Sequence, residues 1–291
     1  MGTVRIGVAG FDYPDWIGYV YPKPLPKGFD RLRYLARFVD AVEINSSFYG
    51  PPKPKSVARW LESVGEHPSF RFTAKLWKRF THERESGWSP AEVDEVRAGL
   101  MPMAEAGKLS CVLAQFPWSF KRSPETEEWL GDLVRAFPEF QLVIEVRHSS
   151  WNDPTFYQWL REVGAGTVNV DQPLFARSIG PDAKATARVG YVRLHGRNYT
   201  DWFREKAASH ERYNYLYDAR ELTPWVERIQ ALEDKVLELI VITNNHFEGK
   251  ELANAAMLKR MVTGRPVRVP PGLAEAYRKV LEPLSITADS E

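Results

Sequence analysis

Cysteine is almost absent: Cys111 is the only one in 291 residues. No intramolecular disulfide can form, and no zinc or iron–sulfur site can be assembled from several thiolates. A large excess of one charge is missing too. The formal net charge is +1, so the chain carries no global electrostatic footprint for nucleic acid or a membrane surface. No apolar run approaches the roughly 20 residues that span a bilayer. The N-terminus lacks a basic segment followed by an apolar one, so no signal peptide is expected and a reducing cytoplasm is the expected location. Gly7-Val8-Ala9-Gly10 is too short for a phosphate-cradling loop, and nothing resembles a Walker or dinucleotide motif. A nucleotide cofactor, haem or iron–sulfur cluster is therefore not expected. The tight spacings HxH and HExxH are also absent.

Aromatic residues are plentiful, with ten Trp, twelve Tyr and fifteen Phe. More informative are eight short apolar runs, most of which end in a polar or ionisable side chain. They are Val4–Gly10, Ala41–Asn45, Phe70–Lys75, Cys111–Gln115, Leu142–Glu145, Thr167–Asp171, Tyr191–His195 and Leu239–Asn244. Amphipathic stretches lie between them. Strands alternating with helical patterns imply βαβ units, and eight units in one chain of this length imply a (β/α)₈ TIM-type barrel as a single domain over residues 1–291. In such a barrel the strand C-termini share one mouth, where Gly10, Asn45, Lys75, Gln115, Glu145, Asp171, His195 and Asn244 are expected to converge.

Four Ser/Thr/Asp-Pro pairs mark helix starts: Ser89-Pro90, Ser123-Pro124, Asp153-Pro154 and Thr223-Pro224. The connection Gln172–Arg188 is the least helical. Gly196–Leu222 is too long for a simple turn and is a candidate lid or wall, through Tyr199, Trp202, Arg204, Lys206, Arg212, Tyr213, Tyr215 and Tyr217. Residues 266–291 are expected to pack on the barrel, with an amphipathic stretch Leu273–Val280 beneath it.

Alternation along a strand puts Glu43 with Asn45, Glu145 with Arg147, and Arg193 with His195 on common faces. Carboxylates pointing into a packed barrel must be paired. One reading makes Glu43 and Glu145 partners of Arg147 and Arg193, with no substrate involved. Another makes Glu43 or Glu145 a general base, with His195 as the acid. Lys75, His82, Arg147, His148, His195, Arg197 and His246 supply cationic donors suited to phosphate or carboxylate. Asn45, Gln115, Trp151, Asp171, Asn244 and Asn245 complete the candidate substrate-binding set. A divalent metal on Glu43, Glu145, Asp171 and His195 is a competing assignment.

Several segments together resemble the DUF72 (YecE-like) family. They are Gly7 to Trp16 with Tyr21-Pro22, Val42-Glu43-Ile44-Asn45 with Phe48-Tyr49, Lys75 with Thr81-His82-Glu83, and Gln115-Phe116-Pro117. The likeness continues through Glu145 to Trp151, Tyr191 to Arg197, and Asn244-Asn245-His246 with Gly249 and Asn254-Ala255. The resemblance implies a (β/α)₈-type barrel and supplies no reaction. The chain departs from it with Ala9-Gly10-Phe11 for the usual Ser-Gly-Trp, and with Ile242-Thr243 where Tyr-Phe often precedes the Asn pair.

The leading expectation is an enzyme acting on a small anionic substrate, a phosphoester or sugar phosphate, by hydrolysis or proton transfer. Lys75, Arg147 and Arg197 would hold the anion, and Asn244 and Asn245 would orient it. The alternatives are a metal-dependent phosphodiesterase acting on damaged nucleic acid, a non-catalytic anion- or nucleic-acid-binding module, and a glycoside hydrolase. No membrane partner is expected, and the sequence is silent on oligomeric state.

Overall fold

The apolar runs form eight parallel strands that close on themselves in a computed structural model describing residues 1–200 and 212–290. The strands are β1 (Thr3–Ala9), β2 (Ala41–Ile44), β3 (Arg71–Lys75), β4 (Leu109–Gln115), β5 (Leu142–Glu145), β6 (Gly166–Asp171), β7 (Val189–Leu194) and β8 (Glu238–Thr243). Strand order follows chain order, and β8 pairs with β1 to close the barrel.

Helices α1 (Arg31–Leu35), α2 (Pro54–Ser63), α3 (Pro90–Glu105), α4 (Pro124–Ala136), α5 (Pro154–Glu162), α6 (Ala219–Glu233) and α7 (Lys250–Thr263) surround the sheet. Ser89 caps α3 in a reciprocal box with Glu92, Ser123 caps α4 with Thr126, and the Asp153 side chain caps α5. Each satisfies amide groups that a helix start leaves without partners, worth about 1 kcal/mol. The start expected at Thr223-Pro224 is corrected. Helix α6 begins five residues earlier, because Asp218 and Glu221 form a capping box of their own and Pro224 lies inside the helix.

No helix crosses from β6 to β7. The outer face of β6 is polar (Thr167, Asn169, Asp171), so an apolar helix stripe would leave it unsatisfied. Irregular chain covers it instead. Asn169 exchanges hydrogen bonds with Lys184, and the Thr186 hydroxyl accepts from the Thr167 amide at 2.8 Å.

Residues 266–290 form β9 (Arg268–Val269), α8 (Pro271–Ala276), α9 (Arg278–Leu281) and β10 (Thr287–Ala288), and bury Val267, Val269, Leu273, Leu281 and Ile286 in the core. Tyr277 donates to the Glu248 carbonyl at 2.8 Å and stacks on Tyr19, which places the segment against the loops that follow β8 and β1. Among the described residues no helix is long and apolar enough to cross a membrane.

Apolar packing forms two clusters. One lies between sheet and helices; the other fills the lumen with Ala9, Ala41, Cys111, Leu113, Val143, Val168, Val170, Val189, Tyr191, Ile240 and Ile242. On β1 and β2 the lumen residues Gly7, Ala9 and Ala41 are small. Long side chains from β7 enter the same lumen and set up the site.

Gly7 also permits close approach of β1 and β2: a Cβ there would lie 2.0 Å from the Ala41 carbonyl oxygen. Gly7→Ala is expected to destabilise by roughly 3 kcal/mol or more in denaturant unfolding. Gly50→Ala, where a Cβ would meet nothing within 4 Å, is expected to change little. Equal effects would contradict this strand register.

Candidate functional site

Arg193 of β7 crosses the lumen near its C-terminal end and holds two carboxylates at once. Its Nη2 donates to Glu43 Oε1 of β2 and its Nη1 to Glu145 Oε2 of β5, both at 2.6 Å. All three side chains are buried, with Glu43 and Glu145 0% exposed. The other Glu43 oxygen accepts from the Tyr191 hydroxyl at 2.8 Å, and that hydroxyl also meets Thr73 Oγ1 at 2.8 Å. The other Glu145 oxygen accepts from Arg147 Nε at 2.9 Å and Nη2 at 2.8 Å, with His195 Nε2 at 3.3 Å. Burial alone would raise the Glu145 carboxyl, but Arg193, Arg147 and His195 outweigh it and hold it well below the usual carboxylate range.

This arrangement corrects the general-base assignment. Both carboxylates are locked by guanidinium groups and are inaccessible, so neither is placed to take a proton from a substrate. It also corrects the metal assignment. The lone pairs of Glu43 and Glu145 are directed at Arg193 and Arg147, and no cluster of three metal-ligating side chains occurs among the described residues.

His195 is 0% exposed. Asn244 Nδ2 lies 2.9 Å from its Nδ1, and the His195 Nε2 lies 3.3 Å from Glu145 Oε1, 3.3 Å from Arg147 Nη2 and 3.5 Å from Arg193 Nη1. Burial pushes its pKa down to about 3; Glu145 opposes that shift, while Arg147 and Arg193 reinforce it. This favours the neutral form of His195, held between Asn244 and the Glu145–Arg147–Arg193 network.

Lys75, at the end of β3, is different. It is half-buried and has no hydrogen bond or ion pair among the described residues. Its Nζ sits 4.1 Å from the centre of the Phe48 ring. The hydroxyl of the preceding Ser47 donates to the carbonyls of both Ile44 and Lys75, tying the turn after β2 to the end of β3. Burial pushes the Lys75 amine down to about 7, and Arg193 adds to the shift. His82 meets the same Phe48 ring edge-on at 4.9 Å, with its Nδ1 2.9 Å from Thr81 Oγ1, and is lowered by burial to about 4.

Other expected residues also reach the mouth. Gln115 follows Cys111 and Leu113 on the lumen face of β4 and donates to the Phe116 carbonyl at 2.7 Å. His246 stacks on Tyr13 with ring centres 4.5 Å apart, and Tyr213 closes in at 5.2 Å. Asn45 lines a cleft of about 580 Å³ that opens beside the mouth, with Phe11, Tyr13, Arg59 and Trp60.

Five candidates lie elsewhere. Asp171 points outward from β6, where it accepts from Arg197 Nε (2.9 Å) and Nη2 (2.6 Å), Tyr217 (3.0 Å) and Trp225 (2.5 Å). Arg197 is engaged in this clamp, with its side chain 31% exposed. Asn245 donates to Asn254 and to the Tyr215 carbonyl, fastening the segment after β7 onto α7. His148 faces Trp118 and accepts from the Ser150 amide at its Nδ1. Trp151 is buried and donates to the Phe120 carbonyl. Of the expected wall, Tyr213 comes within 6.4 Å of His195 between ring centres, while Tyr217 is buried in the Asp171 clamp. Trp202, Arg204 and Lys206 lie outside the described residues.

Sequence reasoning missed Phe48, Ser47 and Glu251. The Glu251 carboxyl is buried at the start of α7, accepts from the Ala9 amide at 3.2 Å, and is pushed by burial well above the usual carboxylate range.

A family model described as "Protein of unknown function DUF72" matches residues 5–276. The UPF0759 protein YunF of Bacillus subtilis (strain 168) is 26% identical over 272 residues, covering 89% of this chain and 94% of that protein. The UPF0759 protein YecE of Escherichia coli (strain K12) is 26% identical over 174 residues, covering 58% of this chain and 59% of that one. The solved structure of a DUF72 family protein from Thermotoga maritima MSB8 superposes with a TM-score of 0.78 at 31% identity, covering 89% of this chain and 99% of that one. One from Enterococcus faecalis V583 superposes at 0.77 and 24% identity, over 89% and 95%.

The buried neutral His195 sets an acid limit on stability. Its pKa is about 3 when folded and near the ordinary 6.5 when unfolded. The unfolded chain therefore binds more protons between these values, and stability falls as pH drops through that window. His82 and His148, also lowered, contribute in the same direction, and Glu145 adds a loss below its ordinary 4.5. Between pH 6.5 and 4.5, His195→Asn is expected to lose roughly 2–3 kcal/mol less than the wild type in urea unfolding. Parallel pH profiles would remove His195 from this role.

Proposed function

The chain belongs to the DUF72 family, and from the geometry of its mouth we propose an enzyme that binds a small anionic substrate, a phosphoester or sugar phosphate, and moves a proton on it. One observation carries this reading: the unpaired amine of Lys75, set beside a charge network that is already balanced. Glu43 and Glu145 cancel Arg193 and Arg147, so protonated Lys75 leaves the mouth with one positive charge in excess. An arriving anion supplies the partner that Lys75 lacks, with Arg147 on the same rim. Its amine is also the group described there with an affinity for protons near neutrality. Hydrolysis through a carboxylate base fits less well, because both lumen carboxylates are engaged. The same engagement speaks against glycoside hydrolysis, which requires one carboxyl to protonate the leaving group.

A second reading has a specific support. With Glu43 and Glu145 locked, and His195 and His82 lowered to about 3 and about 4, no group beside Lys75 is tuned to neutrality with it, as expected of a module that binds an anion without turning it over. Turnover of a phosphoester or sugar phosphate, lost in Lys75→Met, separates the two.

Sulfate, fully ionised throughout, tests the binding step by calorimetry. Affinity is expected to fall as salt rises, and at least tenfold between pH 7 and pH 9 as Lys75 loses its proton. Lys75→Met is expected to abolish that pH dependence. Binding insensitive to pH, or unchanged in the variant, would place the anion elsewhere.

A further inference from the structure

We propose that Lys75 is an amine nucleophile that forms an imine with a small aldehyde or ketone carrying a phosphate group. This deepens the reading above and rests on its anion site at the same mouth.

The first support is what Lys75 does not do. Every other ionisable group described in this part of the lumen has a hydrogen-bonded partner: Glu43 and Glu145 hold Arg193, Glu145 holds Arg147, and His195 is held by Asn244. A lysine kept for structure would be expected to share one of those carboxylates. Instead Arg193 occupies one oxygen of each, Tyr191 the remaining Glu43 oxygen, and Arg147 the remaining Glu145 oxygen. The amine is left without an acceptor and available to an electrophile.

The second support is its placement. Lys75 is the last residue of β3, on the lumen face, where backbone hydrogen bonding fixes the stem of an otherwise flexible side chain. The Phe48 ring packs against Nζ at 4.1 Å, and the hydroxyl of the preceding Ser47 donates to the Lys75 carbonyl. Ring and strand together restrict where the amine can point. Removing it from water also disfavours the ammonium form, consistent with its lowered proton affinity, so much of it is a free amine at neutral pH.

The third support is the neighbourhood. Lys75, Phe48 and His82 form one cluster, and His82 is a neutral imidazole at pH 7 that can pass a proton. Imine formation needs such transfers. The Nζ lone pair attacks the carbonyl carbon, the C=O π pair moves to oxygen, and oxygen takes up a proton as nitrogen releases one. The carbinolamine hydroxyl then takes a second proton from water and leaves as water while the nitrogen lone pair forms the C=N bond, and the iminium nitrogen returns its remaining N–H proton to the hydroxide. Amine and carbonyl compound become imine and water, with no change in oxidation state. The phosphate would sit against Arg147, where the mouth favours negative charge.

The full chain would be incubated at pH 7 with dihydroxyacetone phosphate or glyceraldehyde 3-phosphate and cyanoborohydride. The hydride reduces any imine to a stable secondary amine, and peptide mass spectrometry locates it. The expected result is a single dominant adduct on Lys75, formed at least tenfold faster than on exposed Lys53, and suppressed by competing sulfate. Lys75→Arg, which keeps the charge, is expected to keep sulfate binding and lose the adduct. Adducts spread over surface lysines without preference for Lys75, while sulfate still binds at the mouth, would overturn the imine and leave the anion-binding reading standing. Absence of both adduct and sulfate binding would overturn both.

Discussion

A single guanidinium shared between two buried carboxylates organises this barrel's mouth. Burying one carboxylate is costly, and burying two beside each other would push at least one to take up a proton. Arg193 removes that conflict by giving one edge to Glu43 and the other to Glu145, each at 2.6 Å. The lumen residues Gly7, Ala9 and Ala41 on β1 and β2 are small, and the long Arg193 side chain lies between β2 and β5. Buried ion pairs of this kind add little net stability over an apolar core, yet losing one partner would cost about 3–5 kcal/mol because charge would be stranded. The network is therefore more significant as a fixed charge pattern than as a source of stability.

From that pattern the properties of the neighbours follow. His195 sits against Glu145 but also near two guanidinium groups and far from water, so its neutral form is favoured. Arg147 completes the neutralisation of Glu145 and keeps its side chain 13% exposed. Lys75 finds both carboxylates taken. Among the described residues its charge is not compensated by an ion pair, and burial lowers the proton affinity of its amine. A separate polar cluster on the outer face of β6 serves another purpose. Asp171, Arg197, Tyr217 and Trp225 pin the chain after β7, and this brings Tyr213 over His195 and His246.

Much of this was legible in the sequence. Apolar runs ending in polar residues located all eight strands, and parity along β2, β5 and β7 placed Glu43, Glu145, Arg147, Arg193 and His195 on lumen faces. The pairing of those carboxylates with Arg193 and Arg147 was one of the two readings the pattern allowed. The errors came from treating strand end as equivalent to lumen face. Asp171 belongs with Thr167 and Asn169, and three polar residues in alternation on β6 mark its outer side, just as Val168 and Val170 mark the inner. His148 and Asn245 each follow a lumen residue and so point away, and Trp151 lies in a short helical turn that buries it. Phe48 and Ser47 were not legible as site residues. Their role depends on a turn conformation and on the distance between two strand ends, which no periodicity encodes. Nor could the sequence show that Lys75 would be the cation left over, since that is decided by which acceptors the others reach first.

The most direct measurement of the central claim is the titration of the Lys75 amine itself. With lysine labelled by ¹³C at Cε, and its Lys75 resonance identified by its loss in Lys75→Arg, the chemical shift can be followed by NMR from pH 5 to pH 11. A midpoint near 7, well separated from the other lysines, is the expected result for an amine whose only candidate counter-ions are held by Arg193. A midpoint close to the ordinary 10.5 would mean that Lys75 shares a carboxylate after all, and would contradict the charge pattern on which the whole account rests.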